Sequence, residues 1–441
     1  MPPAIRTTPH GAPMSDDSLR MTAFHDQVRR HHTRNAWANY GVEAAWGLAV
    51  SLIEVNAVLP VFLREMGVSA SVISVLPALG VLGFTLPQLL SAYLTEGMPR
   101  KKYPYVILSY LANLPWLFIV LLVFGRAAER ERWVVWAFFA LYGVHAFMLG
   151  FITPMWGSFV YKLILPEKRG QFFGYTFFLH GAFGLLGALV VKFVLKGWPF
   201  PQNFGYCFLL SFIFLNVAIS FYLPVIEPAY PEHRPERTPR KYVTHLVEVL
   251  RADRNYLMFI LARLVLSLGG MATVFYSVYA VERFKLDSSA AGVFVGILTV
   301  SQMVSSLGFG RVGDRYGYKV VAVLSCVANL TAVLLALSAE SICVFYGVFA
   351  AVGASLSSLY LAYTNLPMEL CPYYDKSTYI GLANTLAAPF VAAGPLIGGV
   401  IATRFSYPLV FAVTGGVVLA GLIVLVVAVK EPRSVRLRRG A

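Results

Sequence analysis

An ionisable or strongly polar side chain inside a long apolar stretch is expensive to place there, so each one is a candidate for chemistry. This chain has few. Glu54 sits in the first apolar stretch, with Ser51 one turn below it and Asn56 beside it. A carboxyl in a low-dielectric cavity favours its neutral form and can exchange a proton near neutral pH. Glu54, Ser51 and Asn56 therefore form a candidate proton or cation site; the alternative is a carboxyl merely hydrogen-bonded between helices. Glu43 lies 11 residues earlier, about three helical turns, and shares the face of Glu54. It is nearer the edge of the stretch, where a structural role is expected. His145 and His180 fall mid-stretch and carry a group that titrates in the useful range; neutral buried histidines also simply donate one hydrogen bond. Arg263 lies roughly two turns from the end of its stretch. It either snorkels to the surface or partners an anion or carboxylate. Tyr276, Tyr279, Gln302, Tyr360, Tyr363 and Asn365 complete the polar handles, and tyrosines near the ends of such stretches often only anchor at an interface.

The elements that hold these residues follow from composition. Of 441 residues, 58% are hydrophobic and 13% charged, against about 25% charged in a soluble domain. The apolar residues come in blocks of roughly 19 to 28, long enough to cross about 30 Å of hydrocarbon as helices. They predict spans at 36–63, 68–94, 103–125, 133–160, 171–191, 203–223, 256–281, 289–310, 320–338, 341–365, 379–402 and 407–429. The fold class is thus an all-α membrane protein with twelve transmembrane helices. The tails and even-numbered loops hold 26 Lys and Arg, the odd-numbered loops 9. That bias predicts cytoplasmic termini, and it explains the net charge of +14 without nucleic acid. The block beginning near Trp37 follows a polar tail, so no cleavable signal is expected. Cys207, Cys326, Cys343 and Cys371 show no paired spacing, so neither a disulfide framework nor a metal site is expected from them.

Residues 1–35 read as a disordered basic tail, despite His10, His25, His31 and His32, and 430–441 as a second basic tail. The longest loop, 224–255, opens with five prolines and continues as a basic amphipathic stretch from Arg240 to Arg254, with Tyr242, Leu246, Val249 and Leu250 at helical spacing. A linker followed by a helix on the membrane surface is expected there. It separates six-span halves at 36–223 and 256–429.

The halves repeat each other. The loop after the eighth span reads Gly310-Arg311-Val312-Gly313-Asp314-Arg315-Tyr316-Gly317-Tyr318-Lys319. The loop after the second aligns with it at Glu96 and Lys101. The loops after spans four and ten both carry a proline and charges, then a glycine opening the next span. Duplicated halves are common among transporters.

The 310–319 segment resembles the signature loop of the major facilitator superfamily, Gly-x-x-x-Asp-Arg-x-Gly-x-Lys/Arg, matched at Gly310, Asp314, Arg315, Gly317 and Lys319. The first-half copy lacks the Asp-Arg pair and the second glycine. The resemblance implies alternating access between two pseudo-symmetric halves, with spans 1, 2, 4, 5, 7, 8, 10 and 11 lining a central cavity and Asn113, Asn216 and Asn329 on peripheral spans. It also implies a gating loop in which Asp314 faces the start of span 11 and Arg311 or Arg315 pairs with Glu369. Gly394-Pro395 resembles a motif that the superfamily's drug antiporters place in span 5, where this chain has Gly181, Gly184 and Gly187 but no proline. Those glycines allow close helix contact.

No phosphate-cradling Gly-x4-Gly-Lys-Ser/Thr loop occurs, so a gradient rather than ATP is the expected energy source. The expectation is a secondary active transporter for a small organic solute, proton-coupled, without cofactor, acting as a monomer in a bacterial inner (plasma) membrane. A transporter fold serving as a sensor or assembly partner is the alternative; an enzyme is not expected.

Overall fold

The computed structural model describes residues 16–95, 98–129, 131–165, 169–229, 250–251, 253–370 and 376–431. Eleven helices among them are long and apolar enough to cross a membrane. A twelfth span, the first, is interrupted: Asp16–Ser51 is followed by a non-helical turn and then Val58–Glu65. Span 2 comprises Ala70–Ile73 and Val75–Thr95. Spans 3 to 6 are Lys102–Arg126, Arg132–Leu163, Arg169–Gly197 and Gln202–Ser220. Span 7 is again broken, into Arg254–Ser267 and Phe275–Phe284. Spans 8 to 12 are Ala290–Tyr316, Tyr318–Ser338, Ile342–Leu370, Lys376–Arg404 and Tyr407–Ala428.

The first helix corrects the expected tail, because residues 16–35 are helical. The physical reason is a short apolar stripe, Phe24 and Val28, buried against Leu165. Farther along, Asn35 exchanges two hydrogen bonds with the backbone of Ile226, at 2.9 and 3.1 Å. The amphipathic stretch expected at 240–254 lies largely outside the described residues.

Packing repeats between the halves. Span 1 packs on spans 5 and 6, span 2 on span 4, and span 3 on spans 4 and 6; span 7 packs on 11 and 12, span 8 on 10, and span 9 on 10 and 12. The halves meet through spans 2 and 11 and, equivalently, spans 5 and 8. At the end carrying the termini each half has its own core, one around Tyr105, Phe159 and Tyr222, the other around Tyr256, Phe259 and Tyr379. Toward the far end a single core runs through both halves, from Phe62 and Phe208 to Phe275 and Phe411. Large exposed apolar side chains such as Trp136, Phe193 and Val427 are what a lipid-facing surface requires.

At the termini end of the first half, Glu227 is clamped. Its carboxylate accepts the backbone N–H groups of Lys101 and Lys102 at 2.8–2.9 Å and pairs with the Lys162 ammonium, both side chains being buried. Lys102 in turn donates to the carbonyls of Leu223 and Val225. Removing one member of a buried ion pair strands the other. Glu227→Ala is therefore expected to destabilise the protein by about 3–5 kcal/mol. Thermal unfolding in detergent checks this, with Lys162→Met/Glu227→Met expected to recover much of the loss.

Candidate functional site

The two broken spans occupy corresponding positions in the halves, and each break has a local cause. Pro60 has no N–H to give the Asn56 carbonyl, and its ring clashes with a helical carbonyl four residues back. The turn is capped instead: the Glu54 carbonyl accepts from the N–H groups of Ala57, Val58 and Leu59 at 2.9–3.3 Å. In span 7, Ser267, Gly269 and Gly270 supply the weak helix formers at which helices bend, and residues 268–274 leave the α-helix. Unwound backbone at membrane depth is tolerated where it faces protein or a cavity.

A cavity of about 610 Å³ lies between the halves at these breaks. Glu54 and Asn56 line it from span 1, His145 from span 4, Arg263 from span 7 and Tyr363 from span 10. Glu54 Oε1 accepts from the Asn56 backbone N–H at 3.1 Å and from its amide at 2.8 Å. Those bonds fix the carboxyl at the mouth of the break and leave its second oxygen outside this pairing. His145 is buried, with Nδ1 2.6 Å from the Ala112 carbonyl. A carbonyl only accepts, so Nδ1 carries the proton and Nε2 is the ring atom left to accept one. Arg263 is 7% exposed and does not snorkel. Its Nη2 donates to Asn384 Oδ1 at 2.7 Å, and its guanidinium lies 4.3 Å from the ring centroid of Tyr363.

Other candidates are placed elsewhere. Ser51 donates to the Gly47 carbonyl at 2.9 Å, one turn back, not to Glu54. His180 Nδ1 lies 3.3 Å from Glu43 Oε2, linking spans 5 and 1. Tyr276 and Tyr279 pack into an aromatic cluster with Phe345, Phe411 and Tyr407. Asn365 donates to the Leu361 carbonyl in its own helix; Tyr360 is 62% exposed. None of these, nor Gln302, is among the residues that line the cavity. Conversely, Trp116 from span 3 and Ser325 and Asn329 from span 9 do line it, although those spans were expected to be peripheral. Asn329 reaches 3.5 Å from the Gly269 carbonyl freed by the break in span 7.

The 310–319 loop closes on its own half. Gly317 has φ +94°, a left-handed conformation that favours glycine. Asp314 accepts from the Tyr318 hydroxyl at 3.0 Å, and Lys319 donates to the Val426 carbonyl at 3.1 Å. The expected arginine contact to Glu369 is made instead by the Tyr318 backbone N–H, at 3.3 Å. Arg311 bonds the Leu307 carbonyl and Arg315 lies over Tyr316. The reason is reach: the helix continues through Arg315, so both guanidiniums stay along its surface. Glu96 lies outside the described residues, and so do the side chains of residues 376–378 at the start of span 11, which Asp314 is expected to face.

Polar contacts between the halves, among the described residues, gather at the end away from the termini. Arg64 pairs with Glu282. The Ser71 N–H donates to Thr403 Oγ1 at 2.9 Å, and the Asn203 amide lies 3.4 Å from Ser288 Oγ. One end of the cavity is thus held shut by direct bonds.

A family model described as Major Facilitator Superfamily matches residues 44–388 and 265–441, and the chain belongs to that superfamily. Its fold is that of solved transporters. A mutant of the nucleoside transporter NupG superposes with TM-score 0.72 at 12% identity, covering 90% of this chain and 100% of the other. A D-xylose–proton symporter gives 0.70 at 12% identity, covering 91% and 99%. A POT family transporter in complex with 5-aminolevulinic acid gives 0.67 at 13% identity, covering 91% and 96%. No curated protein matches the sequence.

Proposed function

We propose that this chain is a secondary active transporter that moves a small organic solute by alternating access, driven by protons that load and unload at Glu54. The observation that carries this reading is a carboxyl at the interruption of span 1, facing a cavity between two six-span halves. A carrier needs a group that takes a proton from one side and releases it to the other, and an acid held by two neutral donors beside an open volume meets that need. The described conformation is inward-facing in this reading: the bonds between Arg64 and Glu282 and between Ser71 and Thr403 seal the outer end. One structural neighbour's own name couples a sugar to protons, in keeping with the proposal. The decisive experiment is accumulation in proteoliposomes under an imposed pH gradient, screened across a solute library, with Glu54→Gln beside the parent protein.

The orientation, with termini and the 310–319 loop in the cytoplasm of a bacterial inner membrane, rests on the cation bias of the loops. In a background without the four native cysteines, a membrane-impermeant thiol reagent added to intact cells is expected to modify Glu129→Cys, after span 3, and to leave Asp314→Cys untouched until lysis. Labelling of Asp314→Cys before lysis reverses the topology.

A further inference from the structure

The cavity is unbalanced in its hydrogen bonding. Two guanidinium nitrogens of Arg263, Nε and Nη1, are buried with no acceptor. The Tyr363 hydroxyl and the Trp116 indole N–H are also buried without a partner. All three side chains line the same volume. No carboxylate of the described residues pairs with Arg263; Asn384 supplies one neutral bond and the Tyr363 ring a face. A buried cation is normally paired, and buried donors are normally satisfied. Stacking on one ring compensates a guanidinium far less than a carboxylate would. Glu54, the one acid among the described residues of the lining, is held by Asn56.

From this donor surplus we infer that the cavity recognises a solute carrying a single carboxylate on an aromatic or otherwise apolar body, with the carboxylate taken by Arg263 beside Tyr363. The inference rests on the cavity being the solute pathway, as proposed above, and narrows the solute to a class. One unpaired guanidinium calls for one negative charge. A phosphate ester would bring two charges to a site with a single cation among its described residues. The rest of the lining suits an apolar body: Trp46, Phe84, Trp116 and Tyr142 are among its residues, and aliphatic side chains make up most of what remains. A volume of about 610 Å³ lies within the usual range for small-molecule sites.

The test is equilibrium binding to the purified protein in detergent, with no gradient, read by thermal shift and by quenching of tryptophan fluorescence. The probes are benzoate, phenylacetate and indole-3-acetate, each beside its own amide. At least one acid is expected to bind, roughly ten- to a hundredfold tighter than its amide, the worth of a charge-assisted hydrogen bond. Arg263→Gln should abolish that preference and Arg263→Lys retain part of it. If Arg263→Gln does not fold, Tyr363→Phe serves instead; it should weaken the acid by a few-fold and leave the amide unchanged. The inference is overturned if no acid binds, if acid and amide bind alike, or if Arg263→Gln keeps the preference. It is also overturned if, with Arg263→Gln unfolded, Tyr363→Phe binds as the parent does. Glu54→Gln should bind the acids in this assay even though it cannot accumulate them. Failure of coupling and failure of recognition are thereby separated.

Discussion

Glu54→Gln is expected to abolish concentrative uptake while leaving solute binding and passive exchange intact. In a 1:1 symport a pH difference of about one unit sustains roughly tenfold accumulation, a tenfold ratio being worth about 1.4 kcal/mol. Without a titrating group the same gradient should sustain none, and solute should only equilibrate. The substitution is conservative where it matters for folding. A glutamine keeps a carbonyl oxygen to accept from the Asn56 N–H and amide, the two bonds that hold Glu54 at 3.1 and 2.8 Å. The break in span 1 should also persist, because Pro60 and the Glu54 main-chain carbonyl, not the carboxyl, create and cap it. A mutant that accumulates solute as well as the parent would make Glu54 structural. The role would then pass to His145, whose Nε2 is the free ring atom, or to His180, which stands against Glu43.

The proposed proton site and the inferred carboxylate site also explain each other. An anionic solute entering beside an ionised Glu54 meets a second negative charge in a low-dielectric volume, where like charges interact strongly. Protonation removes that repulsion. Binding of the proton and binding of the anion then favour one another, and such reciprocal coupling is what a symporter needs. In the proposed mechanism the pair crosses as a neutral load, so transport should respond to the pH difference and little to voltage.

The parts of this molecule legible from sequence are those written in hydropathy. Twelve apolar blocks and a loop matching at Gly310, Asp314, Arg315, Gly317 and Lys319 were enough for the span count and the superfamily. The positive φ at Gly317 follows from the need for a turn between two helices. The breaks in spans 1 and 7 were missed, although their signal was present: a proline in one half and a Gly-Gly pair in the corresponding span of the other. Interrupted hydrophobic segments at matching positions are the best pointer to a transporter's binding site, whereas a hydropathy count reads straight through them.

Side-chain partners were less legible, because they depend on which neighbouring helix faces each position. Ser51 is satisfied within its own helix, and His180 is engaged by Glu43 rather than facing the cavity. Trp116 and Asn329 reach the cavity from spans expected to lie outside it. The helical tail depended on the packing of only two of its apolar residues, Phe24 and Val28, against Leu165, too faint a stripe to detect in a polar stretch.

The seal at the end away from the termini, the outer end in the proposed orientation, supplies the second large effect. Spans 2 and 11 pack tightly at Gly399, where an added Cβ would lie 2.3 Å from Ser74 Oγ, 2.6 Å from Ser74 Cβ and 3.0 Å from the Ala70 carbonyl. Ser74 cannot simply turn away without giving up its 2.7 Å bond to the Ser71 carbonyl, and Ala70 contributes backbone. The same contact supports the bond from the Ser71 N–H to Thr403, whose hydroxyl donates to the Gly399 carbonyl at 2.9 Å. Gly399→Val should therefore oppose closure of this end while leaving each half intact. Overpacking of a tight contact costs about 1–3 kcal/mol. At 1.4 kcal/mol per tenfold, that moves the balance between conformations by roughly five- to 150-fold. Transport should fall by about tenfold or more. A cavity thiol, Thr273→Cys in a background without native cysteines, should be modified correspondingly faster by an impermeant reagent added outside. Unchanged labelling and near-normal transport in Gly399→Val would mean that spans 2 and 11 do not form the moving outer gate.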